Sequence, residues 1–281
     1  MTMELLKEEA VTRMEEYRHF AAIHLDSGKY TVKTVSSPRE LRGALALRSE
    51  VFREEFGVTG STREIWDIDE LDFVADHLIL VEKSTGKIVG TYRLICSERS
   101  ERFYSQSEFE MSRLMATPGV KLELSRACTH PEFRGGMAMV LLWRGIAQYM
   151  AAVNASVLFG CSSFRTEDPK HAAELRRYFI RTGKASPELG VTPLPEYRME
   201  GLDQSDESAL ADEPSLPIPP LVQLYLKAGA RLSPEPAHDR AFHCLDFLTV
   251  LPVDAIDEKF VRKYTGAAAV AASGSAAGGS G

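Results

Sequence analysis

Cysteine is scarce in this sequence. Only Cys96, Cys128, Cys161 and Cys244 occur, and no two of them form a C-x-x-C pair. That spacing excludes a zinc-ribbon pattern and a disulfide framework, and it suits a reducing compartment. We read the four as packed strand residues rather than metal ligands. Positive charge is also short: 33 Lys and Arg stand against 40 Asp and Glu, a formal net charge of −7. A general nucleic-acid binder needs the opposite balance, so no nucleic-acid partner is expected. The N-terminus lacks the apolar core of a signal peptide. The most apolar stretch, Met137 to Val153, is interrupted by Arg144 and Gln148 and does not span a bilayer. A cytoplasmic location is expected, with a peripheral contact on the inner membrane compatible with it.

What is present centres on Leu122 to Phe164. A short apolar run carries Glu123, Ser125 and Arg126 and reads as a buried strand. A loop with Arg134, Gly135 and Gly136 follows. Next come Met139, Leu142, Trp143, Ile146, Met150 and Val153 at helical spacing, which reads as a core stripe. A second apolar strand ends at Gly160 and Cys161. Strand, glycine loop, helix and strand together form a unit that can hold a phosphate at a helix N-terminus.

Upstream, Met3 to Ile23 reads as an acidic amphipathic helix and Tyr30 to Val35 as a strand. Ser37, Pro38 and Glu40 spell a helix start. That helix runs to about Phe56, with Leu41, Leu45, Arg48 and Phe52 on one face. Gly57 to Ala75 reads as a loop carrying Trp66 and the acids Asp67, Asp69, Glu70 and Asp72. It lacks the central glycine of a calcium loop, so no metal is expected there. His77 to Lys83 and Lys87 to Cys96 read as a hairpin, with Arg93 on a largely apolar face. Glu98 to Pro118 gives no clear pattern. Asp168 and Pro169 open a strongly basic helix containing Arg176, Arg177 and Arg181. From Pro187 to Pro236 the chain holds nine of its fourteen prolines and the acidic run Asp203 to Glu213, and reads as a long, partly mobile excursion. Leu221 to Ala228 reads as a helix and Ala241 to Leu251 as a late strand. The organisation expected is an N-terminal helix (1–29), a core (30–186), a C-terminal part of the same domain (187–264) and a disordered Gly/Ala/Ser tail (265–281).

Several separated segments carry a resemblance. Arg48 and Phe52 in R-S-E-V-F, Asp69 and Asp72 in D-E-L-D, Arg93 in G-T-Y-R, and Glu123 and Arg126 in E-L-S-R stand in an order similar to the charged residues shared by acyl-homoserine-lactone synthases. Those synthases are a branch of the GNAT acyltransferases. The text L-W-R-G-I-A-Q-Y-M, L-F-G-C-S-S-F and I-P-P-L-V-Q-L-Y-L-K-A-G-A resembles a sister family more closely. That family is the bacterial L-ornithine N-acyltransferases of ornithine-lipid synthesis. The similarity spans roughly Tyr30 to Leu251. The glycine loop, F-R-G-G-M-A, is a loose version of the GNAT Q/R-x-x-G-x-G/A pattern.

The resemblance implies an α/β GNAT-type fold, a mixed central sheet flanked by helices. It implies transfer of a 3-hydroxyacyl group from acyl carrier protein to the α-amine of ornithine, forming lyso-ornithine lipid. No tightly bound cofactor is implied, because the donor arrives on the carrier's phosphopantetheine. Glu123 is the first candidate base, with Asp69 or Asp72 second, and those two aspartates are also the natural receivers of ornithine's second cation. Arg48, Phe52, Arg93 and Arg126 are assigned to the pocket. Arg134, Gly135, Gly136 and Arg144 are assigned to the carrier and its phosphate. The three buried arginines are expected to pair with Asp69, Asp72 and Glu123. Strict alternation points Glu123 and Arg126 to opposite faces, so a bulge is expected between them, as GNAT folds use there. Other acceptors (glycine, another amino acid, S-adenosylmethionine) and a non-catalytic GNAT-like binding module are the competing readings.

Overall fold

The apolar periodicities become elements over most of the chain. In the computed structural model, the residues described are 11–56, 68–202 and 213–265. The chain divides into two units, each discontinuous in sequence. Unit 1 draws on Met1–Glu101, Leu122–Asn154 and Val261–Gly281, and unit 2 on Arg102–Lys121 and Ala155–Phe260.

Unit 1 contains β1 (His24–Ser27), β2 (Tyr30–Thr34), α1 (Pro38–Phe56), β3 (Asp76–Glu82), β4 (Lys87–Cys96), β5 (Val120–Thr129) and α2 (Gly136–Ala152). The strands lie in the order β1-β2-β3-β4-β5, each pair antiparallel. Val32, Leu78, Leu80, Leu142 and Ile146 are buried between sheet and helix. Gly145 sets how closely α2 lies on that sheet. A Cβ there would stand 2.5 Å from Val32 Cγ1 and 2.9 Å from Leu78 Cδ2. At the start of α1, the Glu40 amide donates to Ser37 Oγ at 3.3 Å, and the Glu40 carboxylate accepts from the Ser36 amide at 2.9 Å. The capping residues are the expected ones, but the carboxylate reaches one residue further back.

Two expectations change near the N-terminus. The helix read over Met3 to Ile23 is helical at residues 11–16 among those described, and residues 3–10 lie outside them. The short strand β1 follows, paired to β2 across a turn in which Gly28 has φ +54°. Four residues carry too little pattern of their own to announce a strand.

The bulge falls beside its expected place. Gly90 and Thr91 pair with Thr129 and Cys128, but Arg93 pairs with Ser125. Arg126 and Ala127 thus face Tyr92 alone, while Glu123 to Ser125 keep regular register. Arg126 takes φ +51°, a left-handed conformation that ordinary residues avoid.

Unit 2 contains β6 (Ala155–Phe164), α3 (Pro169–Arg181), α4 (Pro220–Ala228), β7 (Arg231–Leu232), β8 (Ala237–Asp239) and β9 (Cys244–Pro252). Strand β9 pairs antiparallel with β6, β7 and β8. Phe164, Phe179 and Phe247 meet edge to face with centroids 5.4 to 5.9 Å apart, which seats α3 on one face of this sheet. Asp168 caps α3 by accepting from the Lys170 amide at 2.8 Å. The unassigned segment after Glu98 holds a turn at Tyr104–Ser107, a strand pair between Phe109–Glu110 and Thr192–Pro193, and a helix at Ser112–Met115.

Strand β9 supplies a neighbour to β6 and ties the late chain to residues 155–186 in one unit. The described part of the Pro-rich excursion is packed rather than loose. Met199, Leu202, Val222 and Leu232 lie in the apolar cluster under α3, and the Ser215 amide donates to Glu174 at 3.0 Å. Residues 203–212 of the acidic run and residues 266–281 of the tail lie outside the described residues. No described helix is long and apolar enough to cross a membrane.

Candidate active site

The charged residues of unit 1 converge. Arg48 comes from the buried face of α1, Asp69 and Asp72 from the turn at Glu70–Phe73, Arg93 from β4, and Arg126 from the bulge in β5. Arg48 donates to both oxygens of Asp72, at 2.6 and 3.3 Å. Arg93 Nη1 donates to Asp69 Oδ1 at 2.7 Å and to Asp72 Oδ1 at 3.2 Å, and its Nε donates to Ser125 Oγ at 3.0 Å. Arg126 Nη2 stands 3.5 Å from Asp69 Oδ2. The Asp69 amide donates to Asp72 Oδ2 at 2.9 Å, and the Leu71 amide to Asp69 Oδ1 at 2.9 Å. D-E-L-D is thus a reciprocal cap that presents two carboxylates to three guanidinium groups.

The two aspartates differ. The Asp72 side chain is fully enclosed and accepts four hydrogen bonds, which uses the lone-pair capacity of a carboxylate. Burial alone would raise its pKa, but Arg48 and Arg93 outweigh that and hold it far below the usual carboxylate range. Asp72 therefore has no acceptor left for a substrate proton or for ornithine's second cation, and it is not a receiver of either. The Asp69 side chain is 33% exposed. Glu123 is fully buried, opposite Ile95 in regular register. Period two puts it on the same sheet face as Ser125 and Arg93.

The remaining sequence candidates have neighbours of their own. Phe52 packs on Leu47, Val51 and Cys128. Arg134 is exposed, pairs with Glu55, and donates from Nε to the Thr129 carbonyl at 3.3 Å. Gly135 precedes α2 with φ +151° and ψ 171°, a combination open essentially to glycine. Gly136 opens the helix, and among the described residues no side chain caps it. The first amides of α2 are thus available donors. Arg144 is half-buried, and its Nε is enclosed with no hydrogen-bond partner among the described residues.

A family model described as an acetyltransferase (GNAT) domain matches residues 47–144, which contain the whole charged network. The L-ornithine N(alpha)-acyltransferase of Brucella abortus (strain 2308) is 32% identical over 251 residues, covering 84% of this chain and 89% of that protein. The protein of the same name from Agrobacterium fabrum (strain C58 / ATCC 33970) is 33% identical over 255 residues, covering 86% and 87%. This chain belongs to the L-ornithine N(alpha)-acyltransferase family. It is an N-acyltransferase with the GNAT-type α/β fold. Among solved structures, the AHL synthase LasI is 13% identical with a TM-score of 0.46, covering 88% of this chain and 96% of that one.

In this acyltransferase several structural partners went unread in the sequence. His77 is fully buried, and its Nε2 lies 2.9 Å from the Asp72 carbonyl oxygen. A carbonyl only accepts, so Nε2 carries the proton. Burial pushes the ring's pKa down, with Asp72 opposing in part, and the imidazole stays neutral. Asp76 accepts from the amides of Phe20 and Ala21 at 2.7 and 2.8 Å and from Tyr149 Oη at 2.9 Å, which joins the N-terminal segment, β3 and α2. The signal was an Asp-His pair opening an apolar strand. In unit 2, Glu108, Asp239 and Asp246 are buried close together. Burial first, then Asp246 and Asp239, push the Glu108 carboxyl up to about 9. The signal for Asp246 was an acid inside C-L-D-F-L-T-V-L.

Proposed function

We propose that this enzyme transfers a 3-hydroxyacyl group from the phosphopantetheine thiol of acyl carrier protein to the α-amine of L-ornithine, giving lyso-ornithine lipid and free carrier thiol. The observation that carries this reading is the likeness to four curated L-ornithine N(alpha)-acyltransferases, 31 to 33% identical over at least 81% of each. The charged network agrees with it. Glu123 takes the proton from the attacking amine, directly or through one water. The amine then attacks the thioester, with no covalent enzyme intermediate. Main-chain N–H groups on the strand from Arg126 to Cys128, where the bulge shifts the register, meet the oxyanion. Asp72, locked between Arg48 and Arg93, fixes the turn that positions Asp69.

The uncapped start of α2 suits the phosphate of phosphopantetheine, since orphan amides and the helix dipole both favour an anion there. Helix α3, with Arg176, Arg177 and Arg181, is the docking element for the carrier's acidic surface. The amphiphilic product favours a peripheral contact with the inner membrane during release.

The test is transfer from purified 3-hydroxyacyl carrier protein, with ornithine, glycine and S-adenosylmethionine offered in turn. Activity on ornithine is expected. Activity on glycine alone would overturn the acceptor. Glu123→Gln keeps the shape and removes the base, so turnover should fall about a hundredfold or more with thermal unfolding nearly unchanged. A folded variant that keeps full activity across a pH series would move the base to Asp69 or water.

A further inference from the structure

The unit 2 sheet has two unlike faces. Phe164, Leu245 and Phe247 point to α3. Alternation and register put Cys161 and Ser163 of β6, Cys244 and Asp246 of β9, and Asp239 of β8 on the opposite face. Glu108 reaches the same group from the segment before the Phe109–Glu110 strand. This polar face is nonetheless enclosed: Glu108, Cys244, Asp246 and Asp239 are 1 to 4% exposed.

We propose that Glu108, Cys161 and Asp246 bind a divalent cation of the zinc class. Their ligand atoms all lie within 4.8 Å of one another. Cys161 Sγ stands 3.6 Å from Glu108 Oε2. With Zn–S near 2.3 Å and Zn–O near 2.0 Å, two ligands at a tetrahedral edge are about 3.5 Å apart. The sulfur–oxygen spacing therefore needs little change to close on an ion. Glu108 Oε1 is buried and meets no well-aligned donor among the described residues, and Glu108 is crowded against the second buried acid, Asp246, a repulsion that a cation or a shared proton relieves. A thiolate beside two carboxylates selects zinc over magnesium or calcium, which take oxygen alone. Asp239 and Cys244 form a second set that shares Asp246, with Cys244 Sγ 3.9 Å from Asp246 Oδ2, and offer the fourth ligand. Two of the four cysteines thus exceed the packing role read from their spacing.

The full chain is purified with thiols reduced, stripped with a chelator, and titrated with cobalt. The expected result is one equivalent bound, a thiolate-to-cobalt charge-transfer band, displacement by zinc, and a higher unfolding temperature with zinc. Cys161→Ser should lose the band, Cys96→Ala should keep it, and Glu108→Gln should weaken binding by about tenfold or more. A folded wild-type chain without the band would overturn the proposal and leave a proton shared between Glu108 and Asp246. Cobalt bound without thiolate character, as at the surface group His238, Glu167 and His243, would overturn it as well. A band that survives Cys161→Ser would do the same. If Cys161→Ser fails to fold, the wild-type band and the Glu108→Gln titration still decide.

Discussion

Arg48 and Asp72 show what a residue can mean when its partner is fixed. Both side chains are fully enclosed, so removing one leaves a bare charge in the interior. Asp72→Asn should therefore lower stability by about 3 to 5 kcal/mol, read as a shift in denaturant midpoint. A paired replacement of Arg48 and Asp72 by Met and Leu should recover much of that loss while activity stays low. If the single variant were as stable as wild type, the network would not be the anchor of this turn. Glu108 makes a pH prediction of definite sign in chelator-treated protein. Its carboxyl is raised to about 9 in the fold and falls to about 4.3 in the unfolded chain. The unfolded state then binds fewer protons between those values. Its stabilising share is complete below about pH 4.3 and is lost as pH rises towards 9, with a slope of up to about 1.4 kcal/mol per pH unit. Glu108→Gln should flatten that slope in urea titrations run across pH, and an unchanged slope would reject the assignment. The unit 1 charges were legible because arginines stood in line with core residues along a helix and a strand. Asp246 was not, because one acid in a strand looks solvated until pairing shows that both faces are covered, and Glu108 was not, because it lies in the patternless segment before Phe109.

Elements with their own periodicity and caps were legible: α1, the β3–β4 hairpin, α2, α3, α4 and β9 stand within a few residues of their expected spans. Elements that borrow their stability were not. β1 exists through β2, and the Phe109–Glu110 strand exists through Thr192–Pro193, a partner some eighty residues away. The bulge in β5 was half legible. Alternation required an irregularity near Arg126, but only the ladder with β4 places it at Arg126 and Ala127. The glycine loop before α2 offers a test at this scale. A Cβ at Gly135 would meet no atom within 4 Å, so the penalty of Gly135→Ala comes from the backbone alone. Holding alanine in that conformation costs about 1 to 3 kcal/mol, and the loop should relax away from it. The expected outcome is a raised KM for acyl carrier protein with KM for ornithine little changed. A lower unfolding temperature with both KM values unchanged would make the loop a structural turn and remove it from phosphate binding.

The pairing that closes unit 2 was the least legible feature, since β6 and β9 are segments that sequence order keeps about eighty residues apart. No local pattern announces such a partner. Net charge acts at this scale too, and it sets up the last prediction. The chain is acidic at −7, and so is the partner assigned to it, so at long range the two repel. Docking must then rest on local charge. From Lys170 to Lys184 the sequence holds Lys170, Arg176, Arg177, Arg181 and Lys184. The single acid among them, Glu174, is buried and bound by Ser215. The Debye length is about 10 Å at 0.1 M salt, so the net charge is screened beyond that distance while contacts at α3 persist. Further salt then weakens the contacts themselves. KM for the acyl carrier should accordingly rise several-fold from low to physiological ionic strength, with KM for ornithine nearly flat. A chain carrying Arg177→Ala and Arg181→Ala should show a higher KM at low salt and a shallower rise. A KM that instead fell as salt was added would mean that whole-molecule repulsion governs the encounter, and the carrier would have to be docked away from α3.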